Sequence, residues 1–162
     1  MSEPRKLRVY AYVNKPYEAV RALLYAHAAE VFPRATTSAV TRADEVGAQL
    51  KVRAGAVDVG VDVRMHLGTL RDEDGPKGMS PVTKVPITWE AARAAALFPS
   101  MTAELSAWPL TATETQIELE GSYRPPLGAV GTALDAVVGH RVAEAAVHRF
   151  LDDVVDQIRR DA

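Results

Sequence analysis

The chain of 162 residues contains no cysteine. Disulfide bonds, thiol nucleophiles and thiolate metal sites are therefore excluded, and the composition fits a protein of a reducing compartment. Long apolar runs are missing too, because the apolar clusters are rich in alanine and interrupted, so no segment is expected to span a bilayer. The start, residues 1–6, lacks the apolar core of a signal peptide, and we expect a cytoplasmic protein.

The chain has no large excess of positive or negative charge, so its charge does not indicate a polyanionic partner. The 19 basic and 21 acidic residues are spread along the chain, and the formal net charge is −2. Binding to nucleic acid or to an anionic membrane is not expected from this distribution. With 48% hydrophobic and 25% charged residues, and without repeats or low-complexity linkers, residues 1–162 are predicted to form one globular domain.

Sequence motifs that identify enzymes or metal sites are also missing. We find no Gly-rich phosphate loop, nucleophile elbow or paired-carboxylate motif. None of the four histidines has a second histidine three or four residues away, so the sequence predicts neither a metal site nor a cofactor. No catalytic residue is assigned, although Ser100 or Ser122 in a spatially assembled triad remains open.

What the chain does have is one long amphipathic stretch at its end. Residues 127–160 contain no proline and follow Pro125 and Pro126, which predicts a single helix. Positions alternating by three and four define one face of that helix, and this face is apolar at both ends and polar in the middle. Its residues are Val130, Ala133, Val137, His140, Glu144, Val147, Leu151, Val154 and Ile158.

Elsewhere the apolar residues alternate with polar ones, which predicts β-strands. Strands are expected over residues 6–13, 36–41, 46–54, 57–70, 82–90, 101–107 and 113–123. Residues 17–32 have helical spacing and are predicted to form one helix, or two short ones, ended by Pro33. Residues 72–81 are predicted to form a hairpin loop, and residues 91–98 fit either a helical turn or a strand. The order predicts an α+β protein whose antiparallel sheet of about seven strands curves around the terminal helix, with short helices after the first strand.

Several local segments support a family resemblance. They are Trp89-Glu-Ala, Leu97-Phe-Pro-Ser-Met101, Gly121-Ser-Tyr-Arg-Pro-Pro-Leu-Gly-Ala-Val-Gly131, Asp135, His140-Arg and Ala143-Glu. With the order of elements, they resemble an uncharacterised bacterial branch of the START-like superfamily, also called SRPBCC or helix-grip proteins. The resemblance covers almost the whole chain and implies a cavity for apolar or amphipathic small molecules between sheet and terminal helix. It implies no single activity, since members include lipid carriers, hormone receptors, aromatic polyketide cyclases and oxygenase ligand domains.

The candidate site centres on the polar middle of the terminal helix. His140 and Glu144 are neighbours on the helix surface, and they form either a polar anchor in an apolar cavity or an ion pair at its rim or in solvent. Tyr123 is a third candidate, because a buried phenol needs a hydrogen-bond partner, and Gly121 is expected to leave room beside it. The other predicted ligand-binding residues are bulky or apolar and could equally form core: Trp89, Met65, Leu105, Val137 and Phe98.

Three kinds of function follow from these residues. The first is non-enzymatic binding of a hydrophobic small molecule, which an apolar lining without a catalytic motif favours. The second is an enzyme of the polyketide cyclase or dehydratase kind, which requires the polar atoms of Tyr123, His140 and Glu144 to lie within about 8 Å of one another. The third is an interaction module, for example a homodimer formed through the apolar side that carries Leu134, Val138 and Val142.

Overall fold

A computed structural model describes residues 3–54, 62–75, 81–93, 100–124 and 133–162, without the side chains of residues 42–54, 62–63, 91–93 and 133–139. In these ranges six strands and two helices follow one another along the chain. They are β1 (Arg5–Val13), α1 (Tyr17–Ala54), β2 (Asp62–Leu67), β3 (Arg71–Glu73), β4 (Val82–Arg93), β5 (Ser100–Pro109), β6 (Thr115–Arg124) and α2 (Ala133–Asp161).

The strands form one antiparallel sheet in the order β1-β6-β5-β4-β2, and β3 pairs with β4 beyond the end of β2. The first and last strands are therefore neighbours, and Arg5 lies opposite Tyr123 in their register. Alternate residues of each strand face the helices, and Val85, Leu105 and Leu119 form one fully buried row across three strands. The predicted α+β class, with an antiparallel sheet and a long C-terminal helix, is confirmed.

Helix α2 lies against α1 and against the edge strand β1. Its second half buries the predicted apolar face, including Val147, Leu151, Val154 and Ile158. The end of the helix is held by Lys15, whose ammonium donates to the Ala162 carbonyl oxygen at 2.6 Å. These contacts place the middle of α2 beside the first half of β1.

The main difference from the sequence prediction is α1. The strands predicted over residues 36–41 and 46–54 are wrong, and so is the predicted end of the helix at Pro33. A single helix of 38 residues contains Pro33 in its interior, where two short helices were one expectation. The described sheet therefore has six strands, and the segment after β1 forms a second long helix beside α2.

Burial at helical spacing explains why this segment is not a strand. Phe32, Ala35 and Ala39 are fully buried in the core, at intervals of three and four residues. The hydroxyl of Thr36 donates to the Phe32 carbonyl oxygen at 2.9 Å, one turn earlier, which is how a threonine is accommodated inside a helix. The β-branched residues gave the segment a strand-like composition, but tertiary packing outweighs this weak propensity.

The remaining predicted strands agree with the structure more closely. Of the strand predicted over residues 57–70, β2 forms residues 62–67, and residues 57–61 lie outside the description. The hairpin loop predicted over residues 72–81 is wrong at its start, where β3 (Arg71–Glu73) pairs with β4. Of the ambiguous residues 91–98, the first three belong to β4 and the rest lie outside the description, as do Pro125 and Pro126. Val142 lies on the side of α2 that was predicted as a homodimer surface, and it is fully buried within the protein.

Candidate functional site

Three of the predicted site residues form a continuous row of polar contacts. The hydroxyl oxygen of Tyr123, on β6, lies 2.6 Å from Nδ1 of His140, on α2. The other ring nitrogen, Nε2, lies 3.0 Å from Oε1 of Glu144, one turn further along the helix. Both distances are far below the 8 Å limit set for a shared site, and we call these three residues the polar row.

The row runs from the protein interior to solvent. Tyr123 is 4% exposed, whereas the side chains of His140 and Glu144 are 35% and 55% exposed. The histidine thus neither points into a closed cavity nor stands free in water. It connects a buried phenol with a carboxylate at the rim, and this arrangement combines the two interpretations left open by the sequence.

The chemistry of the row depends on the protons of His140. With a neutral imidazole protonated at Nε2, the Tyr123 hydroxyl donates to Nδ1, and the Nε2–H group lies beside the Glu144 carboxylate. With a charged imidazole, Nδ1–H donates to the Tyr123 oxygen, and the phenolic hydrogen is free to bond another acceptor. Tyr123 can therefore present either lone pairs or a hydrogen to a bound molecule.

The environment of Tyr123 keeps its hydroxyl protonated. Burial raises the pKa of this phenol above its usual range, and the nearby negative charge of Glu144 raises it further, whereas Arg5 acts in the opposite direction. At neutral pH the group is thus a neutral hydrogen-bond donor and acceptor.

A depression of about 270 Å³ lies along the polar row, between β1 and α2. We call it the β1–α2 depression. It has charged groups at its rim and apolar side chains in its wall. Its residues are Arg5, Lys6, Leu7, Arg8, Val9, Tyr123, His140, Glu144, Val147 and His148.

A second depression of about 240 Å³ lies at the sheet end where β4 and β6 finish and β5 begins. Trp89, Met101 and Tyr123 line it, together with polar residues such as Ser100 and Arg124. Tyr123 thus belongs to both depressions.

The bulky predicted residues lie mostly in the core. Trp89 is fully buried, contacts the ring of Phe150 edge-to-face at 4.9 Å, and donates from its indole nitrogen to the Thr36 hydroxyl at 3.2 Å. Leu105 is also fully buried, and Met65 is partly buried against the same cluster. Phe98 and the side chain of Val137 lie outside the described residues.

Gly121 does not leave space beside Tyr123, so that expectation is wrong. A Cβ atom at this position would overlap the carbonyl oxygen of Thr102 and lie 2.5 Å from Cα of Ala103. Strands β5 and β6 therefore approach each other closely here. The glycine serves sheet packing, and the space next to the phenol opens toward β1 and α2.

The sequence analysis missed the contribution of β1 to this site. Arg5 is in phase with Leu7 and Val9, so the alternation already places it on the helix-facing side of the strand. What the sequence did not show was that β1 pairs with β6, which brings Arg5 opposite Tyr123.

In the described ranges, no group of three histidine, aspartate or glutamate side chains is arranged to hold a metal ion. Neither α1 nor α2, as far as they are described, combines the length and apolarity that crossing a bilayer requires.

Comparison with solved structures identifies proteins of similar fold. The crystal structure of the Zhui aromatase/cyclase from Streptomyces sp. R1128 matches with a TM-score of 0.50 and 16% identity, over 98% of this chain and 95% of that one. The fold is that of a helix-grip protein. A conserved protein from Geobacillus kaustophilus matches with a TM-score of 0.46 and 14% identity, over 96% of each chain. No protein-family model and no curated protein sequence matches the chain.

Proposed function

We propose that this protein is a START-like binder of a small amphipathic molecule, which occupies the β1–α2 depression and is anchored by the polar row. The observation that carries the proposal is the series of contacts from Tyr123 through His140 to Glu144 along a depression whose lining is partly apolar. Small-molecule sites are typically concave and largely apolar, with a few polar groups that fix the orientation of the ligand.

The size of the depression limits the ligand. At about 270 Å³ it lies just below the range of typical small-molecule sites, which occupy about 300 to 1,000 Å³. A molecule with one fused ring system or a short acyl chain fits this volume. Its apolar part would lie against Leu7, Val9 and Val147, and its hydroxyl or carbonyl group would meet Tyr123.

The test is calorimetric titration with 2-naphthylmethanol, an uncharged aromatic alcohol. Wild-type protein should bind it, and Tyr123→Phe, which removes only the hydroxyl, should weaken binding by about 1 to 2 kcal/mol. Tyr12→Phe is the matched control, because Tyr12 is an exposed tyrosine on the opposite face of β1. Equal affinity of the wild type and Tyr123→Phe would remove the polar row from the site.

A second candidate function is an enzyme of the cyclase or dehydratase kind, and the position of His140 favours it. An imidazole held between a phenol and a carboxylate can pass a proton along the row. A charged His140 would leave the Tyr123 hydrogen to polarise a ligand carbonyl, which makes the hydrogens on the adjacent carbon more acidic. The helix-grip fold, shared with an aromatase/cyclase, is compatible with such chemistry.

This candidate predicts proton exchange next to a ketone. In D₂O, the methyl hydrogens of 2-acetylnaphthalene should exchange for deuterium faster with wild-type protein than with buffer, as followed by NMR. Each turnover would remove one proton to form the enol and return one deuteron from solvent. Equal exchange rates with wild-type protein and with His140→Gln would contradict the enzymatic candidate and leave the binding proposal intact.

A further inference from the structure

Arg5 is a cationic group of the β1–α2 depression whose role the polar row does not explain. Arg5 lies directly opposite Tyr123 in the β1–β6 register, and directly opposed residues of an antiparallel pair project to the same face of the sheet. Its neighbours in phase, Leu7 and Val9, are partly buried and form the wall of the depression. The guanidinium is thus carried at the end of an apolar wall, beside a buried phenol.

Arg5 also has no bonded partner among the described residues. Two other arginines of the sheet have carboxylate partners: Arg8 with Glu118 at 3.1 Å, and Arg71 with Glu104 at 2.6 Å. Arg5 forms no such ion pair within the described ranges. The positive charge of Arg5 nevertheless acts on Tyr123, because it opposes the rise in the pKa of that phenol.

We propose that the ligand of the β1–α2 depression is an amphipathic acid, whose carboxylate binds Arg5 while its apolar body lies on Leu7, Val9 and Val147. This inference rests on the proposed binding function and adds the chemical class of the ligand. A guanidinium offers paired N–H donors that match the two oxygens of a carboxylate. The hydroxyl of Tyr123, opposite Arg5, supplies a further donor when His140 is charged.

The charges around the depression place the carboxylate at its Arg5 end. Glu144 is the acidic group among the lining residues, and it lies at the far end of the polar row, held to His140 Nε2. The basic groups of the lining are Arg5, Lys6, Arg8, His140 and His148. Lys6 and Arg8 alternate with Arg5 along β1 and project to the other face of the sheet, so Arg5 is the arginine aligned with the apolar wall.

The test compares two probes that differ in charge, 2-naphthoate and 2-naphthylmethanol, by calorimetric titration. Arg5→Gln should weaken binding of 2-naphthoate about tenfold, as expected for loss of a hydrogen-bonded charge pair, and change the affinity for the alcohol less than about twofold. Arg64→Gln is the matched control, since Arg64 is an exposed arginine on β2, at the opposite edge of the sheet. It should leave both affinities unchanged.

Salt provides a second readout. Affinity for 2-naphthoate should fall between 50 and 500 mM NaCl, which shortens the screening length from roughly 14 to 4 Å, while affinity for the alcohol should stay nearly constant. Unchanged 2-naphthoate binding in Arg5→Gln, or an equal loss in Arg64→Gln, would overturn the inference. If the affinity for 2-naphthylmethanol still depended on Tyr123 in that case, the proposed binding function would stand, but its ligand would not be an acid. Failure of the wild type to bind either probe would overturn both.

Discussion

The hydroxyl of Tyr123 and Nδ1 of His140 lie 2.6 Å apart, and this contact joins the last strand of the sheet to the C-terminal helix. The two rings are nearly parallel, with an interplanar angle of 15°. A buried phenol without a partner would destabilise the fold, so the histidine has a structural role as well as its proposed ligand-binding role. Separating these two roles requires variants that remove the contact without leaving one half of it unpaired.

Gly121→Ala should destabilise the fold without any direct effect on the polar row. The new Cβ would overlap the Thr102 carbonyl oxygen and the backbone of Ala103, and moving two paired strands apart costs about 1 to 3 kcal/mol. Urea denaturation measures the loss. Ser122→Ala, at the next position of β6, is the control and should change the free energy of unfolding by less than about 0.5 kcal/mol. Similar stability of the two variants would show that β5 and β6 do not approach as closely as described.

Phe150→Ala should be the most destabilising of the substitutions considered. The ring is fully buried, stacks on Phe32 with centroids 6.0 Å apart and meets Trp89 edge-to-face at 4.9 Å. Truncation leaves a cavity between both helices and the sheet, which typically costs about 3 to 5 kcal/mol. The control is Leu110→Ala, since Leu110 is an exposed residue after β5. A loss below about 1 kcal/mol for Phe150→Ala would contradict the packing of α1 against α2.

Asp72 should contribute to stability in a pH-dependent way. Arg21 donates to its carboxylate at 2.9 and 2.7 Å and Thr83 at 2.8 Å, and these bonds lower the pKa of Asp72. Because the folded-state pKa is below the unfolded value of about 3.9, the stabilisation is present above pH 4 and is lost as the pH falls through the folded pKa. The free energy of unfolding lost in Asp72→Asn at pH 7 should stay below about 1 kcal/mol, since solvent screens the partly exposed Arg21–Asp72 pair.

Urea denaturation at pH 7 and near pH 3 measures this effect. The difference in stability between wild type and Asp72→Asn should be smaller near pH 3 than at pH 7, because below about pH 4 the carboxylate becomes protonated in the unfolded state and this contribution to stability is progressively lost. Asp161→Asn removes an exposed carboxylate near the chain end that has no hydrogen bond among the described residues, and it should show no such convergence. An Asp72→Asn difference that grows on acidification would contradict the proposed sign.

The parts of the fold that the sequence predicted well are those where one pattern dominates. Strict alternation located β4, β5 and β6 within a few residues, and the uninterrupted spacing by three and four located α2. The prediction was wrong over residues 36–54, where β-branched residues favoured strands and Pro33 indicated the end of a helix. There the burial of Phe32, Ala35 and Ala39 against other elements decides the structure, and such tertiary contacts are not visible in local composition.

The candidate site shows the same division. The helical spacing of His140 and Glu144 predicted that they would be neighbours, because i and i+4 residues always share a face. The sequence indicated that a buried Tyr123 phenol needs a hydrogen-bond partner, but not that His140 is that partner, since this depends on how α2 lies against β6. Arg5 could not be placed in the site until the pairing of β1 with β6 was known, although its phase along β1 was readable.

The most direct test of the proposed function removes both halves of the Tyr123–His140 contact at once. The double variant Tyr123→Phe/His140→Leu leaves no buried polar atom of the pair unpaired. Its free energy of unfolding, measured by thermal denaturation, should therefore stay within about 1 kcal/mol of the wild-type value. Affinity for 2-naphthylmethanol, measured by calorimetry on the same protein, should nevertheless fall by about 1 to 3 kcal/mol, or roughly 5- to 150-fold. Unchanged affinity in this stable double variant would contradict the claim that the polar row anchors a ligand.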